Sequence, residues 1–223
     1  MTVHASDASP LRHSVLEAAG VHHGFGVRGA PEPVGVLRPR QVHGRTVARA
    51  ASPTTLAPRD ADAVVSTLSG VPVAVVTADC VPVLAASQDG MAVAAIHAGW
   101  RGLAVGVVQA GIESLRACCP SDVGLCAVVG PHIGPCCYEV DAPVLEALEL
   151  RFGTALERGV QPGRPGHAQL DLAALVAIEL ERGGVSVRDV IANPCTRCDA
   201  ARFHSYRRDG EGAGRLLHFV TAS

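Results

Sequence analysis

Short valine- and alanine-rich runs, punctuated by turn residues, constrain this chain more than any other feature. They recur over residues 46–50, 63–67, 72–76, 81–86 and 91–96. Runs of this length, rich in β-branched residues and bounded by glycine, proline or aspartate, predict a succession of buried strands. Similar runs at 21–27, 124–130, 187–192 and 216–220 extend the series. Helical spacing is confined to three segments. In 103–118, Leu103, Val107, Val108, Ile112 and Leu115 fall near one face. The others are 142–152 and 171–182, the latter with Asp171 placed to cap its start and Gly183 to stop it. Residues 29–39 and 161–166 carry the prolines and glycines of loops. Strands interleaved with a few helices predict an α/β sandwich with a mixed central sheet and flanking helices. One domain over residues 1–223 is the expectation from length, and no internal repeat divides the chain.

Composition narrows the function classes. Apolar residues at 48% against 18% charged argue for a packed core rather than disorder. A net charge of −2 supplies no broad basic face for nucleic acid. All 19 basic residues are arginines, which excludes Schiff-base chemistry by a lysine. The opening MTVHASDASPLRHSVLEAAG has neither a cationic start nor an uninterrupted apolar stretch, so neither signal peptide nor membrane anchor is expected. Eight cysteines in such a chain are expected as reduced cytoplasmic thiols, and the adjacent pairs Cys118/Cys119 and Cys136/Cys137 are poorly suited to disulfides.

Three glycine- or proline-punctuated strings, RQVHG, TADCVP and HAGWRG, each present one soft or borderline metal ligand: His43, Cys80 and His97. Two imidazoles and a thiolate form a zinc ligand set. Three protein ligands leave the fourth tetrahedral position to water or substrate, as in catalytic rather than structural sites. Their separation in sequence is too long for a local metal knuckle, and two hydrogen-bonded histidines with a buried thiol account for the same residues. Cys80 and His97 fall at predicted strand ends, where a rigid sheet can hold side chains open to a pocket. A helix starting just after HAGWRG would turn its free amides toward that pocket.

Two longer strings complete the pattern: GPHIGPCCYEVD from Gly130 and CTRCDAARFHSYRRDGEGAGRLL from Cys195. In this order the five strings resemble the laccase-domain, polyphenol-oxidase-like proteins, also known as peptidoglycan-editing factors, from about His23 to Phe219. The resemblance implies zinc-dependent purine nucleoside phosphorolysis, with accompanying adenosine deamination, on adenosine, inosine or methylthioadenosine with inorganic phosphate. It also implies one zinc on His43, Cys80 and His97. Between GFGVRG and RPRQVHG the chain is shorter than the proteins it resembles, which usually carry there an extra helix that helps enclose the site.

Arg40, Arg101 and Arg207 are candidate phosphate contacts, because guanidinium offers a fixed fork of donors to oxyanions. Cys80, His97 and Arg101 are the candidate catalytic residues. Trp100 is expected in the core, and Asp79 is either an acceptor for a ligand histidine or a turn former. Cys195 and Cys198 form a CxxC without a second such pair, so they and Cys136/Cys137 are expected as buried packing thiols. Three other classes compete. Copper-dependent phenol oxidation is what the older family label implies, but multicopper sites draw on paired histidine motifs and no HxH occurs here. A cysteine hydrolase acting on peptidoglycan precursors would use Cys80 and His97. A non-catalytic interaction module would use neither.

Overall fold

The computed structural model describes residues 8–189 and 195–223. Its strands are β1 His22–Gly24, β2 Val47–Ser52, β3 Thr55–Ala57, β4 Ala63–Ser66, β5 Pro72–Thr77, β6 Val81–Ser87, β7 Val93–Ala98, β8 Leu125–Val129, β9 Glu139–Asp141, β10 Val160–Pro162, β11 His167–Leu170, β12 Ser186–Asp189 and β13 Leu216–Thr221. Its helices are α1 Ser14–Ala18, α2 Trp100–Val105, α3 Val107–Arg116, α4 Ala142–Phe152, α5 Leu172–Arg182 and α6 Tyr206–Asp209. A seven-stranded mixed sheet runs β12-β8-β6-β7-β4-β2-β3. A three-stranded sheet, β1-β13-β5, covers one of its faces, and β10-β11-β9 form a small outlying sheet.

The central strands run apolar without a break because both of their faces are buried. Val81, Val83, Ala85, Ala94, Ile96 and Ala98 pack with Leu103, Val108, Ile112, Leu115 and Leu175 of the helical layer. The alternate positions Leu84, Ala86, Val93 and Ala95 pack with Leu16, Phe25, Val73, Val75 and Val220 on the side of the second sheet. A strand covered on both sides loses the polar half of its alternation, and the sequence pattern follows from that. The α/β sandwich expectation holds.

Register gathers several chain ends at one edge. Val81 pairs with Ala98 across β6 and β7, Ala63 with Ile96 across β4 and β7, and Val47 with Ala63 across β2 and β4. The starts of β2, β4 and β6 therefore lie beside the end of β7. The end of β8 joins them, since Val129 pairs with Val83 and the Gly130 N–H bonds Pro82 O at 2.9 Å. In the second sheet Thr77 pairs with Leu216, so the end of β5 and the start of β13 also meet.

Differences from the sequence reading have local causes. The helix expected over 103–118 starts at Trp100 and breaks into α2 and α3 at Gly106, which takes a left-handed φ of 83°. Residues 161–166, read as a loop, contain the end of β10, which pairs with β11 across a turn. The expected strand 187–192 is seen as Ser186–Asp189, and residues 190–192 lie outside the described residues. Asp171 does cap α5, accepting from the Ala174 N–H at 3.0 Å. Among the described residues no helix is long and apolar enough to cross a membrane.

His218 in β13 sits fully buried between the sheets. Its Nδ1 accepts the Gly26 N–H at 3.3 Å, and its Nε2 lies 2.9 Å from Thr77 Oγ1. The ring is thus held neutral with the proton on Nε2. Burial, with a smaller contribution from nearby His97, brings its pKa from 6.5 down to about 3. Below pH 6.5 the unfolded chain takes up a proton that the native state refuses, so stability falls as pH drops from about 6.5 toward 3. The full window is worth on the order of 5 kcal/mol. Chemical denaturation between pH 7 and 4 is expected to show this loss, and His218→Gln to flatten the slope over that range; an equally steep slope in the variant would place the acid sensitivity elsewhere.

Candidate functional site

The strand ends converge on a cavity of about 720 Å3 that is lined by all three of His43, Cys80 and His97. One donor atom from each lies within 4.8 Å of the others. The two imidazoles meet edge to face with centroids 4.9 Å apart. Cys80 precedes β6 directly, and His97 is the penultimate residue of the neighbouring β7, so their juxtaposition is a consequence of register. Gly99 allows the approach: a Cβ there would stand 2.9 Å from Cys80 Sγ and 3.4 Å from His43 Cδ2.

His43 reaches the site from a strained turn, with φ 59°. Left-handed backbone at a non-glycine residue costs on the order of 1 kcal/mol and persists only where neighbours hold it. Asp62, fully buried just before β4, does the holding. Its carboxylate accepts the backbone N–H groups of Val42 at 3.2 Å, His43 at 2.9 Å and Gly44 at 2.7 Å. The same carboxylate lies 2.9 Å from His97 Nδ1. It thereby orients the His97 imidazole, leaving its Nε2 for Cys80, and fixes the backbone turn that carries His43. Burial pushes the Asp62 carboxyl up, but the hydrogen bonds from His97 and from the Gly44 and Val42 amides outweigh it, and the group stays ionised.

Charge at the triad suits a metal cation. Burial alone would raise the Cys80 thiol, yet the neighbouring His97 and His43 imidazoles bring it down to about 6. His97 moves the other way, up to about 9: burial opposes the shift, and the Cys80 thiolate and Asp62 drive it. A thiolate and two oriented imidazoles are a complete set of three donors for a borderline metal, with a carboxylate behind one of them.

Asp79, weighed above as an acceptor for a ligand histidine, has a different task. It also has positive φ, 92°, and it accepts from Thr196 Oγ1 and from the Arg207 backbone N–H, both at 2.6 Å. It ties the segment after Cys195 to the turn that carries Cys80. Asp62 was missed in the sequence because RDADAVVS carries no signal beyond an acidic residue before a strand, and its partners lie far along the chain.

The arginines separate. Arg101 and Arg207 line the cavity, joined there by Arg38 and Arg215. Arg101 lies over the Trp100 ring at 4.3 Å, and Arg207 over the Tyr138 ring at 4.9 Å. Arg40 does not line it: its side chain is 75% exposed and paired with Asp60, which corrects its assignment as a substrate contact. Trp100, expected in the core, packs on the core with one side and lines the cavity as well. The helix start after HAGWRG also needs correction, since α2 spans only six residues and its dipole is correspondingly weak. The expected packing thiols differ most. Cys136 and Cys198 are exposed, and the two cysteine pairs meet.

Asp62→Asn removes the charge that orients His97 and supports the His43 turn, so zinc affinity is expected to fall 10–100-fold in competition with a chromophoric chelator. Arg40→Ala is expected to leave that affinity unchanged. Equal affinities for wild type and Asp62→Asn would show that the carboxylate does not organise the donors.

With this geometry in hand, likeness to known proteins becomes informative. A family profile described as multi-copper polyphenol oxidoreductase laccase matches residues 26–223. A protein of Pseudomonas aeruginosa named purine nucleoside phosphorylase is 40% identical over 180 residues, which cover 81% of this chain and 71% of that protein. A protein from an unknown prokaryotic organism named adenosine deaminase RL5 is 32% identical over 157 residues, covering 70% of this chain and 60% of that one. The crystal structure of a Neisseria meningitidis protein superposes with a TM-score of 0.74 at 36% identity, over 84% of this chain and 75% of that chain. The chain thus spans only part of each relative's length. Profile, relatives and fold agree, and the chain belongs to the laccase-like family described as multi-copper polyphenol oxidoreductases.

Proposed function

We propose that this chain is a purine nucleoside phosphorylase that transfers the ribosyl group of adenosine, inosine or methylthioadenosine to phosphate, with adenosine deamination as an accompanying activity. One observation carries the reading: a single cavity combines the His43, Cys80, His97 triad with four arginines and with every tryptophan and tyrosine of the chain, Trp100, Tyr138 and Tyr206. Aromatic walls offer stacking surfaces for a purine. Arg38, Arg101, Arg207 and Arg215 offer donors to an oxyanion. Among the described residues lining the cavity the one carboxylate is Asp79, and its oxygens are engaged by Thr196 and Arg207. The names of the relatives agree with this chemistry.

In phosphorolysis a phosphate oxygen bonds to C1′ of the ribose as the C1′–N9 bond breaks, and the departing purine takes up a proton. The transition state is a cation-like sugar between an anion and a leaving base, so holding both partners in line supplies much of the rate. Arg101 and Arg207 would hold and orient the phosphate. Tyr138 keeps its phenolic proton: burial first, then the Cys80 thiolate, pushes it up to about 12, so this cavity-lining residue would offer a donor to the substrate. His43, Cys80 and His97 would hold one zinc ion. When bound, that ion supplies Lewis-acid polarisation of a nucleoside atom or a water acidified for attack on adenine.

We read the three donors as a zinc rather than a copper set. The electron-transfer copper sites built on two histidines and a cysteine add a weak axial methionine, glutamine or backbone carbonyl. Met91 is not among the residues lining the cavity, and both ends of the Gln41 amide are committed to the Val76 backbone at 2.8 Å. A second reading draws on the Cys80 thiolate beside a protonated His97, the pairing of a cysteine hydrolase. Metal content separates the two. We also place the protein in the cytoplasm; the eight cysteines, all free, support that setting.

Base release from adenosine or inosine is expected to require inorganic phosphate and to yield ribose 1-phosphate. Release of free ribose without phosphate would refute phosphorolysis. Arg101→Ala is expected to raise the phosphate half-saturation roughly tenfold at saturating nucleoside, with a smaller change in the nucleoside KM. Cys80→Ala is expected to lower the zinc content by one equivalent per chain and to abolish turnover. A variant that keeps its zinc but loses turnover would favour the hydrolase reading instead.

A further inference from the structure

A second cluster of ligating side chains lies apart from the triad, where the loop after β8 meets the segment that begins at Cys195. The GPHIGPCC turn and the CTRC turn are joined by an isolated parallel bridge between His132 and Cys195 and by the Thr196 N–H on His132 O at 2.9 Å. This brings Cys136, Cys137, Cys195 and Cys198 together, with all four sulfurs within 4.8 Å of one another. Three of the separations are 3.7 Å for Cys136–Cys137, 3.8 Å for Cys136–Cys198 and 3.4 Å for Cys137–Cys198.

We propose that Cys136, Cys137, Cys195 and Cys198 form a closed, structural tetrathiolate zinc site. A tetrahedron with zinc–sulfur bonds of about 2.3 Å has sulfur–sulfur edges of about 3.8 Å, close to the separations seen. Disulfide geometry, at about 2.05 Å, is not approached. Packing for hydrophobic burial does not explain the cluster, because Cys136 and Cys198 are exposed. Cys195 Sγ receives the backbone N–H groups of Gly134 and Cys198, and the Arg197 guanidinium is 3.5 Å from Cys137 Sγ. Backbone amides and a cation directed at the sulfurs are the outer partners a tetrathiolate centre needs to carry its negative charge. Gly134 permits the two loops to close, since a Cβ there would stand 3.3 Å from Cys195 Cβ and 3.4 Å from Cys136 Sγ.

Such a site clamps one wall of the cavity. Tyr138 follows Cys137 directly, and Thr196, between the two cysteines of CTRC, bonds Asp79 together with the Arg207 backbone. Zinc on the four cysteines would therefore fix Tyr138 and Arg207 relative to the turn that carries Cys80. With four protein ligands it leaves no open position and serves structure rather than chemistry.

The test is metal analysis of the full chain purified under reducing conditions without added metal. Two zinc per chain are expected in wild type, one in the Cys195→Ser/Cys198→Ser double variant and one in Cys80→Ala. The two sites fail separately: loss of zinc only in Cys80→Ala would leave the triad and overturn the cluster, and loss only in the double variant would do the reverse. Iron in place of zinc, or a wild-type protein with a disulfide among these four thiols and no metal on them, would also overturn it. Should the double variant fail to fold, cobalt substitution of Cys80→Ala decides. An intense sulfur-to-cobalt charge-transfer absorption is expected from four thiolates, and its absence would exclude the site.

Discussion

The buried carboxylate of Asp62 holds the rest of the site in place. Sequestering an ionised carboxylate from water costs several kcal/mol unless its oxygens find donors. Here three backbone amides and an imidazole supply them, each charge-assisted bond contributing on the order of 1.5–3 kcal/mol. The bonds that keep the charge stable inside the protein also force His43 into a left-handed turn and aim His97 at Cys80. Folding cost and site geometry are settled by the same group.

Asp79 plays the matching part on the other side of Cys80. His43 and Asp79 are the two non-glycine residues with positive φ among the described residues, and each lies next to an aspartate-centred network. Strain of this kind concentrates where surrounding bonds over-determine the backbone. Asp62 binds the His43 turn to β4 and β7, and Asp79 binds the Cys80 turn to the segment that brings Arg207. The triad is thus assembled from three separate stretches whose mutual positions are set by two carboxylates and by the register of the central sheet.

That sheet makes the arrangement rigid. Its central strands β4, β6 and β7 are covered by helices on one face and by a second sheet on the other and have no solvent-facing side, and the ends of β2, β4, β6 and β8 exchange chain with the loops of the cavity. Substitution of loop residues can retune the cavity without disturbing the packed layers, which suits a fold that presents its chemistry at strand ends.

The strand series was legible because burial on both faces writes itself into composition: valine and alanine run on where a half-exposed strand would alternate. The capping of α5 by Asp171 was legible for a similar reason, since a cap is a local bond. The donors His43, Cys80 and His97 stood out by residue type and by the strings that contain them, and the resemblance of those strings joined them into one set. Other features depended on distance in space. Asp62 and His97 meet across neighbouring strands. Arg40 turns to Asp60 while Arg38, two residues away, reaches the cavity. Cys136 and Cys137 meet the CxxC about 60 residues further along the chain. Local chemistry, the periodicity and the ligand types, was determined by the sequence itself. Which side chains share a bond was decided by strand register and loop exit, because a hydrogen bond or a metal site needs contact within a few ångströms, and positions far apart in the chain acquire that only on folding.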